Sequence, residues 1–229
     1  MFVPLLRAAA LAGIVAGLLL TLVQAASIAP LLRDAEAVEH AVAGPHDAAH
    51  DAAPPANSVT RLASTGVANV VLATGFALML AGAMALRGAR GWRAGVAFGV
   101  AGYWVFFVAP SIGVPPTLPG IDVAPLGERT TWWVSTAACS AAGLALAAFG
   151  RGAPLRVLGL ALLVVPFMIG APQPATADPR AASELARTFS RDAYLANALS
   201  WLVLGAIVGA TRVGPRTRAQ DVTPPSGAP

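Results

Sequence analysis

Residues 62–86 read LASTGVANVVLATGFALMLAGAMAL, an uncharged stretch bounded by Arg61 and Arg87. At 1.5 Å per residue, a helix of this length reaches about 37 Å, enough to cross the ~30 Å hydrocarbon core of a bilayer. No water in that core satisfies backbone N–H and C=O groups, so such a stretch crosses as a helix that makes its backbone bonds internally. Similar runs recur at about Pro4–Ala26, Ala94–Ala109, Trp132–Phe149, Pro154–Ala171 and Tyr194–Thr211, which makes six expected spans. Ala94–Ala109 is the shortest, and it and Pro154–Ala171 would cross nearly upright. Their small residues suit close helix packing in lipid. The expected fold is all-α: a polytopic membrane helix bundle forming one domain over residues 1–229.

Composition agrees with this reading. Hydrophobic residues make up 56% of the 229 positions and charged residues 11%, whereas soluble domains carry about 25% charge. The first run has a rival reading. Arg7, an apolar stretch and the small residues Ala25, Ala26 and Ser27 resemble a cleavable signal peptide. The apolar stretch is longer than a usual signal core, so a retained helix is expected.

Every cationic side chain apart from histidine is arginine. Arg7 precedes the first span, Arg87, Arg90 and Arg93 separate the second from the third, and Arg151 and Arg156 separate the fourth from the fifth. Arg212, Arg216 and Arg218 follow the sixth. The remaining connections hold all the acids but Asp221. The positive-inside rule therefore places both termini in the cytoplasm. Arginines facing anionic lipid also account for the isoelectric point of about 10.5, with no nucleic-acid partner required. The single cysteine, Cys139, excludes an internal disulfide and is read as a small packing residue. The alanine-rich, lysine-free composition fits a bacterial cytoplasmic (inner) membrane.

Three connections lie on the opposite, outer side. The first, residues 27–61, holds all three histidines, in the run EHAVAGPHDAAHDAAPP. Its beginning can continue the first helix past Pro30, and after Gly44 and Pro45 its composition suits a flexible segment. The second, SIGVPPTLPGIDVAPLGERTT, is stiffened by prolines. In the third, Ser183 is placed to cap a helix leading into the last span. Residues 212–229 are expected to form a flexible cytoplasmic tail. Each span that starts inside also ends near a proline: Ile28-Ala29-Pro30, Ile112-Gly113-Val114-Pro115 and Ile169-Gly170-Ala171-Pro172. Three parallel helical hairpins would set these broken ends around one outer vestibule, as interrupted helices do in transporters. Ordinary helix termination by glycine and proline would leave the same pattern.

His40, His46 and His50, with Glu36, Glu39, Asp47 and Asp51, offer imidazole and carboxylate ligands of the kind divalent cobalt, nickel and zinc accept. His46 and His50 are four apart, which one helical turn would bring to one side. A solvated polar loop has the same spacing, and the sequence leaves both readings open. Apart from Arg7 and Arg156 near their starts, the spans contain no Asp, Glu, Lys, Arg or His, the groups on which intramembrane ion relays normally depend. An ion path would have to use carbonyls, hydroxyls and amides. Thr65, Asn69, Thr74, Asn197 and Ser200 are candidates for path lining or for polar contacts between helices. Met79, Met84, Cys139 and Met168 are read as core filler rather than copper ligands. No GxxxxGK[ST], GxSxG or HExxH motif occurs, so no enzyme activity and no ATP use are expected. Trp92, Trp132, Trp133 and Trp201 are read as interface anchors, with Arg129 able to make a cation–π contact to Trp132 or Trp133.

LLRDAEAVEH after the first span, then GVPPTLPG, ERTTWW and PFMIGAPQP resemble CbtA, a family of predicted cobalt transporter subunits, over most of the chain. The resemblance implies cobalt import for cobalamin synthesis beside a small single-span partner that carries histidines. It places the patterned positions on Glu36, Glu39, Pro115, Pro116, Pro119, Gly120, Arg129, Trp132, Trp133, Gly170, Ala171, Pro172 and Pro174. Two positions depart: Phe167 stands where a histidine often follows the proline of the fifth span, and Thr130 where glutamine often follows the arginine. The first departure would alter the inner end of the path. The family is often described with five spans, against the six expected from this sequence.

The expected function is thus transport of a divalent transition metal, cobalt or nickel, with no tightly bound cofactor. The histidine loop would collect the ion, and the broken ends around Gly113 and Gly170 would pass it inward. A non-transporting membrane scaffold with an incidental histidine loop is the rival reading. A homo-oligomer is compatible with either.

Overall fold

The computed structural model describes residues 2–33, 58–176 and 183–211. Six helices are present among them. α1 runs Phe2–Val23 and continues through a wider π-helical turn, Gln24–Ile28, to Arg33. α2 is Ser58–Leu86, α3 is Trp92–Gly113, α4 is Leu126–Phe149, α5 is Ala153–Ile169 and α6 is Glu184–Thr211. Five of them are long and apolar enough to span a membrane. α5 has 17 residues and reaches only about 25 Å, so the fifth expected span is a shorter apolar helix. The helices also enter the expected 27–61 loop from both sides, up to Arg33 and from Ser58. Residues 34–57 and the proposed tail, 212–229, lie outside the described residues.

The helices alternate in direction. Leu5, Met84, Ala89, Ala94 and Val208 share one packed cluster, which brings the first ends of α1 and α3 to the last ends of α2 and α6. The guanidinium of Arg87 lies 3.7 Å over the Phe149 ring and adds the end of α4 to the same face. Arg87, Arg90, Arg93 and Arg151 therefore gather at one end of the bundle, hereafter the arginine face.

Helix contact is built on missing side chains. In lipid, association depends on close packing rather than on a hydrophobic drive, and small residues let backbones approach. Gly95 and Gly99 of α3 meet Gly205 and Gly209 of α6. A Cβ on Gly205 would stand 2.9 Å from the Gly99 Cα, and one on Gly209 2.8 Å from the Gly95 Cα. The Gly91 N–H donates to the Gly209 carbonyl at 3.1 Å, a backbone bond between the two helices. Gly13 and Gly17 of α1 lie against Thr74 and Val70 of α2, and Gly143 of α4 lies against Gly159 of α5. Between α1, α2 and α6 the core is mostly alanine: Ala9, Ala12, Ala16, Ala77 and Ala81 are completely buried, together with Met84 and Val208.

Partner choice differs from three parallel hairpins. α1 pairs with α2 as expected, but α3 pairs with α6, and α5 packs mainly on α4. The glycines explain the change, since the small-residue faces of α3 and α6 match each other and that of α5 matches α4. Trp201 is also corrected. It is 6% exposed and belongs to the core, not to an interface belt. Its ring covers Gly102, sits 4.8 Å from Phe76 and stacks on Phe106 at 5.8 Å. Trp92 is exposed at the start of α3, as an anchor would be.

Polar side chains stitch the bundle at two depths. The Asn69 amide donates to the Gln24 side-chain oxygen at 2.7 Å and to the Thr21 hydroxyl at 3.0 Å, joining α2 to α1. The Ser200 hydroxyl donates to the Ala16 carbonyl at 3.2 Å, joining α6 to α1. Thr74 and Asn197 bond only to their own helices. As expected, Ser183 caps α6: its hydroxyl accepts from the Ala186 N–H at 3.2 Å.

Two outcomes follow for protein purified in detergent. Gly205→Val should destabilise the bundle by roughly 1–3 kcal/mol or more through overpacking. Gly82→Ala, whose Cβ would meet nothing within 4 Å, should leave the unfolding midpoint unchanged or slightly raised, so equal midpoints for the two variants would refute the α3–α6 contact. Asn69→Leu should cost roughly 0.6–2 kcal/mol by leaving the Gln24 side-chain oxygen without its donor, and the same scanning fluorimetry measures it.

Candidate functional site

α1, α3 and α5 all start at the arginine face, and each carries a proline near its far end: Pro30, Pro110 and Pro166. Proline has no N–H, so it cannot supply the helical bond to the carbonyl four residues earlier. In α1 and α3 the chain widens just before the proline. The Ala29 N–H reaches back to the Gln24 carbonyl and the Ala109 N–H to the Trp104 carbonyl, each five residues away. Such π turns are frequent at functional sites because they loosen the backbone ladder. In α5, Pro166 lies inside the helix, which ends three residues later at Ile169; Gly170 follows with φ 94°, a conformation that glycine adopts without strain.

Trp132 is the meeting point of two of these ends. Its indole N–H donates to the Pro110 carbonyl at 2.9 Å, and it is 6% exposed. Its ring lies against Gly113, and the Phe167 ring stands edge-on at 6.0 Å. A Cβ on Gly113 would strike both the Trp132 ring and the Ala171 side chain. Next along α4, the Trp133 indole donates at 3.2 Å to the carbonyl of Phe106, the one that Pro110 cannot serve. One helical turn deeper than Trp132 comes Thr136, fully buried, whose hydroxyl has no hydrogen-bond partner. Ser140 follows one turn further, also buried.

The sequence expectation of three broken ends around one vestibule holds for two of them. Gly113 and Ala171 meet at Trp132, with Gly170 and Pro172 adjacent in the chain. The Ile28-Ala29-Pro30 end lies elsewhere: Ile28 packs with Ala193 and Ala196 of α6, and Phe107 and Phe189 lie against that cluster. Phe167 belongs to the last turns of α5, next to Trp132, at the end of that helix away from the arginine face.

The proline-rich connection is anchored on α6. The Ser190 hydroxyl donates to the Pro116 carbonyl at 2.8 Å, and Leu118 and Ala124 are buried beneath the loop. Pro115, Pro119 and Gly120 are exposed, and Pro174 is half-buried. The Thr176 hydroxyl donates to the Asp122 carboxylate, which ties the third connection to the second. Arg129 makes no cation–π contact with either tryptophan. The cation–π pairs among the described residues are Arg87 with Phe149 and Arg93 with Trp92.

His40, His46, His50, Glu36, Glu39, Asp47 and Asp51 lie outside the described residues. Among the described residues, no group of three or more His, Cys, Asp or Glu side chains could hold a metal ion. A cavity of about 460 Å³ opens where the two ends of that histidine segment attach, lined by Thr21, Gln24, Ile28, Arg33, Arg61 and Thr65. Sequence reasoning missed Gln24, the Pro110 carbonyl and Thr136. Proline and glutamine inside apolar runs were the available signals for the first two. Nothing local distinguishes Thr136 from other span hydroxyls.

No curated protein and no solved structure matches the chain. One family model does, over residues 2–212, and its description is probable cobalt transporter subunit (CbtA). The apolar helices, the motifs that meet at Trp132 and this match along nearly the whole length agree: the chain belongs to the CbtA family.

Proposed function

We propose that this chain admits divalent cobalt across a bacterial inner membrane as one subunit of a transporter that supplies cobalamin synthesis. The observation that carries the reading is the family match over residues 2–212. In this reading the arginine face is cytoplasmic, as the positive-inside rule requires, and both termini lie there. His40, His46 and His50, with Glu36, Glu39, Asp47 and Asp51, collect the ion outside. A small single-span partner with its own histidines completes the transporter.

The chemistry of the two ends fits a capture-and-pass arrangement. Imidazole and carboxylate ligands suit first contact with a borderline metal such as cobalt or nickel. Within the bundle, Trp132 closes the contact between Gly113 and Ala171, and the unpartnered Thr136 hydroxyl follows one turn further in. Such oxygens bind a divalent ion weakly, which suits passage better than storage. An inside-negative potential drives entry by about 2.3 kcal/mol per charge per 100 mV, so no nucleotide is needed.

Cobalt accumulation in cells expressing the chain, alone and with a candidate single-span partner, tests this. Expression should raise uptake, and the His40, His46, His50→Ala triple variant should lower it at low cobalt and recover at high cobalt. Uptake that the triple variant matches at every concentration would remove the histidines from the mechanism. Absence of expression-dependent uptake in both arrangements would favour a non-transporting scaffold.

A second variant probes the path. Thr136→Val removes a buried hydroxyl that has no partner, so the fold should lose nothing and could gain up to about 1–3 kcal/mol. Uptake should nevertheless fall several-fold at equal membrane abundance. Unchanged uptake would take Thr136 out of the path.

A further inference from the structure

We propose that the cavity at Arg129 is an anion site that takes a phosphate group, in the first place the phosphodiester of a membrane lipid. The cavity measures about 200 Å³ and is lined by Pro110, Ser111, Val114, Leu126 and Arg129, with both tryptophans at its wall. Arg129 Nε is buried there and has no acceptor. The ion pairs described on this side of the molecule, Arg187 with Glu184 and Arg191 with Asp192, do not involve it.

The neighbouring polar hydrogens are already committed to backbone carbonyls. The Trp132 and Trp133 indoles already donate to the Pro110 and Phe106 carbonyls, and the Thr130 hydroxyl donates to the Leu126 carbonyl. What the cavity lacks is an acceptor with negative charge. A guanidinium stays charged under all ordinary conditions and presents its N–H groups as a planar fork that matches phosphate oxygens. Arg129, expected from the motif to line a metal vestibule, is assigned to a different ligand, and the assignment stands whether or not the chain carries cobalt.

Position favours lipid as the source. Arg129 lies in the first turns of a membrane-spanning helix, the level at which headgroups sit. Apolar side chains around it are open to the surroundings: Leu126 is 71% exposed, Ile112 57% and Val134 53%. Acyl chains would lie along these residues while the phosphate enters beside Arg129. Free inorganic phosphate would meet the guanidinium equally but would make no use of the apolar wall.

The full-length protein in detergent would be titrated with dioleoylphosphatidylglycerol and, separately, with inorganic phosphate, and bound species counted by native mass spectrometry. One lipid should be retained by the wild type. Arg129→Gln should weaken it about tenfold or more, the scale of a charge-assisted hydrogen bond. Leu126→Trp fills the cavity mouth and keeps the arginine; it should weaken binding similarly and decides the matter if Arg129→Gln misfolds. Glu128→Gln serves as the neighbouring control and should leave binding unchanged. Inorganic phosphate bound with the same dependence on Arg129, and lipid not, would support the site and make free phosphate its source. Binding of either probe that is equal in wild type and both pocket variants, or no binding of either probe to the wild type, overturns the proposal.

Discussion

The bundle depends on two backbones touching. Where Gly95 and Gly99 face Gly205 and Gly209, α3 and α6 come close enough for a backbone hydrogen bond between Gly91 and Gly209. Lipid is as apolar as leucine, so side-chain burial does little to drive helices together, and close contact must do so instead. Much else follows from that approach. Trp201 lies flat over Gly102, Phe106 stacks on Trp201, and the stacking holds the π turn of α3 beside α4. Only then does the Phe106 carbonyl face the Trp133 indole. A single methyl group at the glycine contact would therefore be felt several layers away, at the tryptophan pair.

The prolines then turn a weakness into attachment points. A proline inside a membrane helix leaves a carbonyl without its usual donor, and in hydrocarbon such a group must find another. In α3 the donors are indoles from α4, two consecutive tryptophans serving the carbonyls of Phe106 and Pro110. Consecutive residues on a helix point about 100° apart, so a Trp-Trp pair can reach two successive turns of a neighbour only where that neighbour crosses it closely. The ERTTWW motif thereby acquires a structural reason that no single tryptophan would supply.

Much of this was legible in advance. Uncharged length announced the helices, the alternation of arginine-rich and acid-rich connections announced their directions, and Ser183 announced a cap that α6 shows. Partner choice was not legible, because a glycine face declares that something comes close without saying what. Trp201 shows the same limit. Near a span end, tryptophan reads as an anchor, and only the vacancy opposite Gly102 draws it inward. That Phe167 stands beside Trp132 is a tertiary fact that no local pattern announces. The arginines Arg33, Arg61 and Arg129 were overshadowed by those of the other face, and the cavities beside them emerge only when helices that are far apart in sequence are brought together.

The long-range bond from Ser200 to the Ala16 carbonyl joins residues 184 positions apart, and the helix that makes it is also the one that α3 requires. During synthesis α1, α2 and α3 enter the membrane well before α6 exists. Until then α3 presents an unfilled glycine face, and α1 presents half of its alanine core to lipid. The growing protein can pair α1 with α2 early, but α3 must wait for a late arrival to lock it in place. Quality control in the membrane would then be expected to sense α6 above all, because its absence leaves the bundle open along its whole length.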